Sequence, residues 1–437
     1  MQYYKNLQDL KSQIKKWLEK VQVDSYTCIL RISREESINT SNLTNRCFED
    51  ISKSTALFQV FYNKKRYVFS MTGFNNIQEQ IENIPTATAS MEESEYYEEK
   101  GLFHTPLQTI LENYSVPSSQ LIPTTEKMFE KIKSLNTSTS RLVDDALEIS
   151  NTFSTCLIFN KEGFEEFRSL CCAHIGISMV AEENNEKYTA YYNCKITANT
   201  DFLPLIDNAN ERISMYKQKT VIPIGKYKII FYKEVAKELI DMIVEALRGD
   251  VIWKKKSFLM NKIKEKTFSE KINILENPQV KDSIYNGTVD MDGIKIEKKF
   301  LVKDGVVETM LLNREYAHKF DKDSTGNGWD FSIDYTNIYL EPGSLGFEEL
   351  IQHMSTGIVV MEAIGPGFHS NNGEVSICIK GLYYENGIFK GTINGTLSGN
   401  IIHIMENVTI GNDISFESSL CSPSIQVEPM TFAPVSE

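Results

Sequence analysis

Between residues 5 and 20, apolar side chains recur at helical spacing: Leu7, Leu10, Ile14, Trp17 and Leu18 share one stripe, and polar residues fill the rest. That spacing predicts an amphipathic helix. The period then falls toward two. Residues 26–33 and 56–71 read as strands, the second folding back as a hairpin around Asn63-Lys64-Lys65. The polar, acidic stretch 84–101 reads as a surface linker. A second unit starts near Leu102. Two prolines at 117–125 precede a helical pattern that carries Met128, Ile132, Leu142 and Ala146 and runs to Ile149. Strands follow at 154–160, 175–181 and 187–196, with Lys161-Glu162-Gly163 as a tight turn, and 201–215 returns to a helical pattern.

A third unit starts near Lys219. Residues 225–231 predict a strand and 232–248 a helix, with Val235, Leu239, Met242 and Ala246 on one stripe, Glu234 in the first turn and Gly249 as the stop. Beyond it the pattern is of short strands: twelve of the chain's 23 glycines fall between Gly343 and Gly411, and a single later helix is expected at 347–354. No internal repeat is visible. The expected fold is α+β: N-terminal mixed α/β regions, then a β-rich C-terminal domain with a large antiparallel sheet or barrel. The expected units are 1–100, 101–218 and 219–437.

Composition narrows the function classes. The 437 residues are 41% hydrophobic and 24% charged, with a net charge of −13. A spread negative charge argues against a nucleic-acid partner, which needs a basic face; otherwise it describes a solvated surface. The first twenty residues are too charged for a signal peptide, and no apolar run reaches the ~18 residues that cross a bilayer. Eight cysteines lack the density of a disulfide framework. A cytoplasmic protein with reduced thiols and no membrane partner is expected.

The chemistry is marked by an absence. The six histidines, His104, His174, His318, His353, His369 and His403, never share a helical turn. A zinc peptidase of the helix type needs two neutral imidazoles on one helical face and a glutamate to take a proton from the metal-bound water. No serine or cysteine stands in a nucleophile elbow or triad pattern. Gly365-Pro366-Gly367 reads as a β-turn, since a dinucleotide loop needs a third glycine and a following helix. Asp241 and Glu245 stand one turn apart on the helix at 232–248, as two carboxylates on a solvated face or as a pair of acids with a function. Cys421 taken alone is a buried thiol.

The C-terminal half resembles the TldD/PmbA family, in its PmbA (TldE) branch. The matching residues run in order: Glu234-Val235-Ala236, Lys256-Ser257-Phe258-Leu259, Asn277-Pro278, Val302-Lys303-Asp304-Gly305-Val306 and Ser324-Thr325-Gly326. Next are Glu341-Pro342-Gly343, Phe347-Glu348-Glu349-Leu350, Thr356-Gly357-Ile358, Gly365-Pro366-Gly367, Asn372-Gly373-Glu374, Glu385-Asn386-Gly387, Leu397-Ser398-Gly399-Asn400 and Ile410-Gly411-Asn412-Asp413. The shared order over residues 232–432 is what is specific. Before residue 150 only the strand–helix pattern fits.

In this family the TldD branch carries an HExxxH helix whose two histidines, with a distant cysteine, hold zinc while the glutamate acts as base. Aligned on Leu247-x-Gly249-Asp250, those positions hold Ile240, Asp241 and Glu245 here, and Cys421 falls near the third ligand. The PmbA branch likewise lacks the motif. The resemblance therefore implies a non-catalytic subunit with no cofactor of its own. Its expected partner is a TldD-like, HExxxH-bearing chain that carries the zinc and hydrolyses unfolded peptides in an enclosed chamber. Family members process leader peptides of ribosomally made antimicrobial peptides (microcins) and degrade an antitoxin, and an older label calls them modulators of DNA gyrase. Two other readings stand beside this: a stand-alone peptide-binding module or homodimer without hydrolysis, and a hydrolase with a site remodelled from Asp241, Glu245 and Cys421.

Overall fold

The computed structural model describes residues 2–41, 45–94, 109–112, 115–135, 141–142, 146–196, 201–281 and 283–435. The first helix, α1 (Gln2–Val21), buries Leu7, Ile14 and Leu18 completely, as its stripe requires. Strands β1 (Ser25–Ser41), β2 (Asn45–Tyr62) and β3 (Lys65–Thr72) form an antiparallel meander, and left-handed Asn63 and Lys64 make the turn expected between the last two. The strands run well past the stretches read from the sequence. Their outer halves carry only scattered apolar residues, Ile38, Phe48 and Ile51 among them, so alternation there carries little signal.

Residues 84–88 correct the linker reading. After α2 (Ile77–Glu82), α3 (Ile84–Thr88) is a helical turn with Ile84 and Thr88 buried, and the Thr88 hydroxyl donates to the Ile84 carbonyl. Residues 95–101 lie outside the described part, as does His104. The helical pattern assigned up to residue 149 also ends early. Helix α4 (Ser118–Leu135) accommodates Pro123, whereas Ala146 already opens strand β4 (Ala146–Asn160). Ile149 keeps helical spacing to Leu142 and Ala146 but also alternates with Leu147, and pairing with β1 decides between the two periods.

Strand β5 (Glu165–Glu183) returns from the 161–163 turn, and β6 (Glu186–Ile196) pairs on its far side. The resulting eight-stranded sheet runs β3-β2-β1-β4-β5-β6, with the short strands Thr109–Glu112 and Arg141–Leu142 also paired to β5, so residues from both expected N-terminal units share it. One face lies under helices. Cys28, Leu30, Phe58, Leu157 and Phe159 pack beneath α1–α3, while Ile38, Ile149, Ile175 and Ile177 pack beneath α4 and α5 (Leu203–Lys217). The other face sets Ile29, Cys156 and Ile158 against Val289, Met291 and Trp329 of the C-terminal half.

That half is built on a closed barrel. Strand β7 (Gly225–Phe231) leads into α6 (Lys233–Ala246) and α7 (Gly249–Trp253); later come α8 (Phe347–Met354), β8 (Gly357–Ile364), β9 (Glu374–Glu385), β10 (Ile388–Asn400) and β11 (Ile425–Pro434). The order is β8-β7-β11-β10-β9, and β9 pairs back onto β8 to close the ring. Only β7 and β8 are parallel, because the long excursion through α6 returns the chain in the same direction. A smaller five-stranded sheet includes Ile274–Glu276, Lys299–Lys303, Ile338–Leu340 and Leu420–Cys421. Helix α6 lies between this sheet and the barrel, and eight of its fourteen residues are buried, more than a single stripe. Two short helices not anticipated from the sequence are Arg314–Lys319 and Ile401–Ile404. No helix among the described residues is long and apolar enough to cross a membrane.

Gly249 does not stop α6. The helix ends at Ala246 with Leu247 as C-cap, and Gly249 starts α7, where a β-carbon would lie 2.5 Å from Leu312 Cδ2 and 3.2 Å from the Leu311 carbonyl oxygen. Gly249→Ala is therefore expected to cost about 1–3 kcal/mol through overpacking; a denaturation midpoint equal to wild type would contradict this.

Candidate functional site

The site is assembled around the start of α6. Tyr232, extended, caps the helix; the Lys233 backbone N–H donates to Ser424 Oγ (3.0 Å), and that serine is fixed by Asp413 through its own N–H (2.8 Å) and hydroxyl (2.7 Å). In front of this turn lies a cavity of about 510 Å³. Its walls come from four places: Tyr191 to Cys194 on β6, Leu205 and Asn208 on α5, the first two turns of α6 (Tyr232, Lys233, Glu234 and Lys237), and the segment Ser415 to Ser422. The cavity thus sits at the seam between the N-terminal sheet and the barrel half.

Cys421 is in this wall. Its side chain is buried, its short strand runs parallel to Ile338–Leu340, and Sγ donates to the Ser418 carbonyl at 3.1 Å. Burial, then Glu417, pushes the Cys194 thiol up to about 11, which leaves it protonated and a poor nucleophile. Burial lowers the His174 pKa, with Glu417 opposing it. Glu417 itself accepts the Lys195 backbone N–H (2.8 Å), and Lys233 Nζ reaches Ser415 Oγ (3.3 Å). Two lysines, two acids and three tyrosine rings without an activated nucleophile form a surface that can bind polar, extended ligands.

Ile240, Asp241 and Glu245 do not share this cavity lining. Ile240 is fully buried in the core between barrel and small sheet and offers no donor atom. Asp241 receives a long hydrogen bond from the Tyr335 hydroxyl (3.5 Å), and Glu245 pairs with Arg248 (3.2 Å), half exposed. Among the described residues no three of His, Cys, Asp and Glu come close enough to hold a metal ion. The donor set at these positions does not fit zinc: one position is hydrocarbon, and the two acids are engaged elsewhere.

Asp241 is open to solvent yet flanked by protein, and that partial desolvation raises its pKa; Asp334 adds to the rise while Tyr335 and Arg248 oppose it. A carboxyl raised in the folded state contributes stability at low pH that is lost as pH climbs through its folded pKa. Asp241→Asn is accordingly expected to cost nothing at pH 7 and to flatten the stability profile above the unfolded carboxylate pKa of about 4. A thermal-melt series over pH checks this, and a destabilised variant at pH 7 would refute it.

Several residues at the seam were not singled out from the sequence. Arg212 of α5 is buried, lies over the rings of Tyr192 (4.3 Å) and Tyr232 (5.6 Å) and bonds Glu234 (3.3 Å). Tyr216 of the same helix donates to Glu362 (2.6 Å), which also holds Lys380 (2.9 Å). No local signal marks these residues, because their partners stand up to 146 positions away.

Residues 224–434 match the family model of the PmbA/TldA metallopeptidase C-terminal domain. The chain is 33% identical over 199 residues to a metalloprotease PmbA homolog of Buchnera aphidicola, covering 45% of this chain and 44% of that protein. With metalloprotease PmbA of Escherichia coli O157:H7 it is 29% identical over 224 residues, 51% and 48% of the two chains. The chain spans about half the length of these curated relatives. A metalloprotease of Methanocaldococcus jannaschii is 24% identical over 430 residues, 92% of this chain and 93% of that one. Among solved structures, a Thermotoga maritima protein described as a modulator of a DNA gyrase superposes with a TM-score of 0.85 at 21% identity, covering 98% of this chain and all of that one. TldE from Thermococcus kodakarensis does so with a TM-score of 0.85 at 16% identity, covering 97% and 100%. These two likenesses speak for the fold.

Proposed function

The chain belongs to the TldD/PmbA family, in its PmbA/TldE branch, and from that premise we propose that it is the non-catalytic subunit of a two-component zinc peptidase. The observation that carries this reading is the state of α6: the positions where the catalytic branch would hold two histidines and a glutamate are a core isoleucine, an aspartate bonded to Tyr335 and a glutamate bonded to Arg248. A partner chain bearing HExxxH supplies the zinc and the hydrolysis. Unfolded peptides are the substrate class, leader or precursor peptides of ribosomally made antimicrobial peptides among them, and the cytoplasm is the compartment. This subunit contributes its cavity wall and scaffold.

Co-expression with an HExxxH-bearing chain from the same genome, followed by zinc analysis and cleavage of an unfolded peptide, tests the proposal. Zinc and hydrolysis are expected only with the complex; stoichiometric zinc and cleavage by this chain alone would sink it. Within the complex, Glu245→Ala is expected to leave the cleavage rate unchanged, since this carboxylate is a surface partner of Arg248. A large loss of rate would instead favour a site remodelled from Asp241, Glu245 and Cys421.

A further inference from the structure

The two acids in the wall of the seam cavity are engaged, and the two lysines are not. Buried Arg212 bonds Glu234 (3.3 Å), and Glu417 accepts the Lys195 backbone N–H (2.8 Å). Lys233 Nζ reaches the Ser415 hydroxyl (3.3 Å) and the face of the Tyr232 ring (6.0 Å), neither of them an acid. Lys237 makes no ion pair among the described residues, and Glu238 and Asp241, the next acids along α6, do not line the cavity. Four positions apart, the two lysines share one face of the helix. Both line the cavity, so two ammonium groups without a carboxylate partner border one space of about 510 Å³. This charge sits on side chains and not on the helix end. The Lys233, Val235 and Ala236 amides are already donated, to Ser424 Oγ and to the Tyr232 carbonyl.

Two such ammonium groups draw an oxyanion, and hydrogen bonds from an ammonium to a carboxylate are among the stronger polar contacts a protein makes. We propose that the cavity receives the free carboxylate end of a peptide, held by Lys233 and Lys237. The other end of a peptide fits poorly: an α-ammonium would meet two like charges and find both acids engaged. Tyr191, in the same wall and 56% exposed, offers its ring to the residues that precede the carboxylate. A space of this size takes a short segment and not a folded domain. Capture of a chain end by its charge is one of the recurring modes of peptide recognition. The inference rests on the reading of this chain as a peptide-handling subunit, and it names the end of the peptide that the subunit holds.

Calorimetric titration of the full chain with an unstructured alanine–serine octapeptide tests this. The peptide is used with both ends free, with an acetylated N-terminus and with an amidated C-terminus. Amidation is expected to weaken binding about tenfold or more, and acetylation to leave it unchanged. Lys233→Gln/Lys237→Gln should bind the free and amidated forms alike, and thermal melts verify that it folds. Lys237→Gln alone, at an exposed position, should already lose part of the preference. Inorganic phosphate is the competing probe, and it is expected to displace the peptide only at concentrations far above the peptide's own. Displacement as effective as that by free peptide would mark a site for any oxyanion and overturn the proposal. Equal binding of free and amidated peptide, no binding of either, or a preference that survives both substitutions would do the same. Cleavage by the complex with an HExxxH-bearing chain is measured separately. Cleavage without the carboxylate preference refutes this inference alone, and the preference without cleavage refutes the subunit reading alone.

Discussion

Replacing Glu276 by alanine is expected to remove about 3–5 kcal/mol of folding stability, the largest loss of any single polar substitution considered for this chain. Glu276 is completely buried where the small sheet meets the loop before Ile338. One carboxylate oxygen accepts the Thr336 N–H (2.8 Å) and hydroxyl (2.9 Å); the other accepts the Asn327 amide (3.0 Å) and pairs with Lys299 Nζ (2.5 Å). Asn327 is fully buried and the Lys299 side chain is only 17% exposed, so water replaces little of what is lost. The orphaned donors carry their whole desolvation cost. Glu276→Gln keeps the shape but turns an N–H₂ toward donors, so it should recover only part of the loss. The measurement is the urea midpoint at unchanged slope. A shift worth less than about 1 kcal/mol for the alanine variant would show that the network is not holding the sheet.

Arg212→Ala is the second large effect, expected at about 2–4 kcal/mol. Most of this comes from the aliphatic stem and the stacking on Tyr192 and Tyr232, since Glu234 is 42% exposed and its ion pair is screened. The consequence extends beyond stability. Helix α5 packs on the N-terminal sheet, whereas Tyr232 and Glu234 begin α6, so Arg212 spans the seam that also walls the cavity. Its loss should resolve unfolding into two transitions and weaken any ligand held at the seam. A single cooperative melt at the wild-type temperature would show that the two halves are coupled elsewhere.

The parts of this fold that were legible in the sequence are those whose signal is local. Gly225–Phe231 and Phe347–Met354 fall where their patterns place them, because a run of buried β-branched and aromatic residues and an amphipathic turn of eight declare themselves within a short window. The misreadings share one cause. Ile149 fits a helical period with Ala146 and an alternating one with Leu147, residues 84–88 look polar but bury two side chains, and Gly249 stands where a helix stop belongs yet serves a close approach to Leu312. In each case a neighbour distant in sequence made the choice.

The candidate site divides along the same line. The sequence alone established that no pair of histidines occupies one helical face, since residue identity and helical spacing are local properties; that Ile240, Asp241 and Glu245 stand where an HExxxH motif would is what the family resemblance implies. Only the tertiary structure decided that Ile240 is sealed in the core, that Asp241 and Glu245 are bonded to Tyr335 and Arg248, and that Cys421 belongs instead to a cavity at the start of α6. Burial and partnership depend on which segments meet: the barrel and the small sheet enclose α6, and β6 of the eight-stranded sheet and Leu420–Cys421 of the small sheet come together at its start across long stretches of sequence.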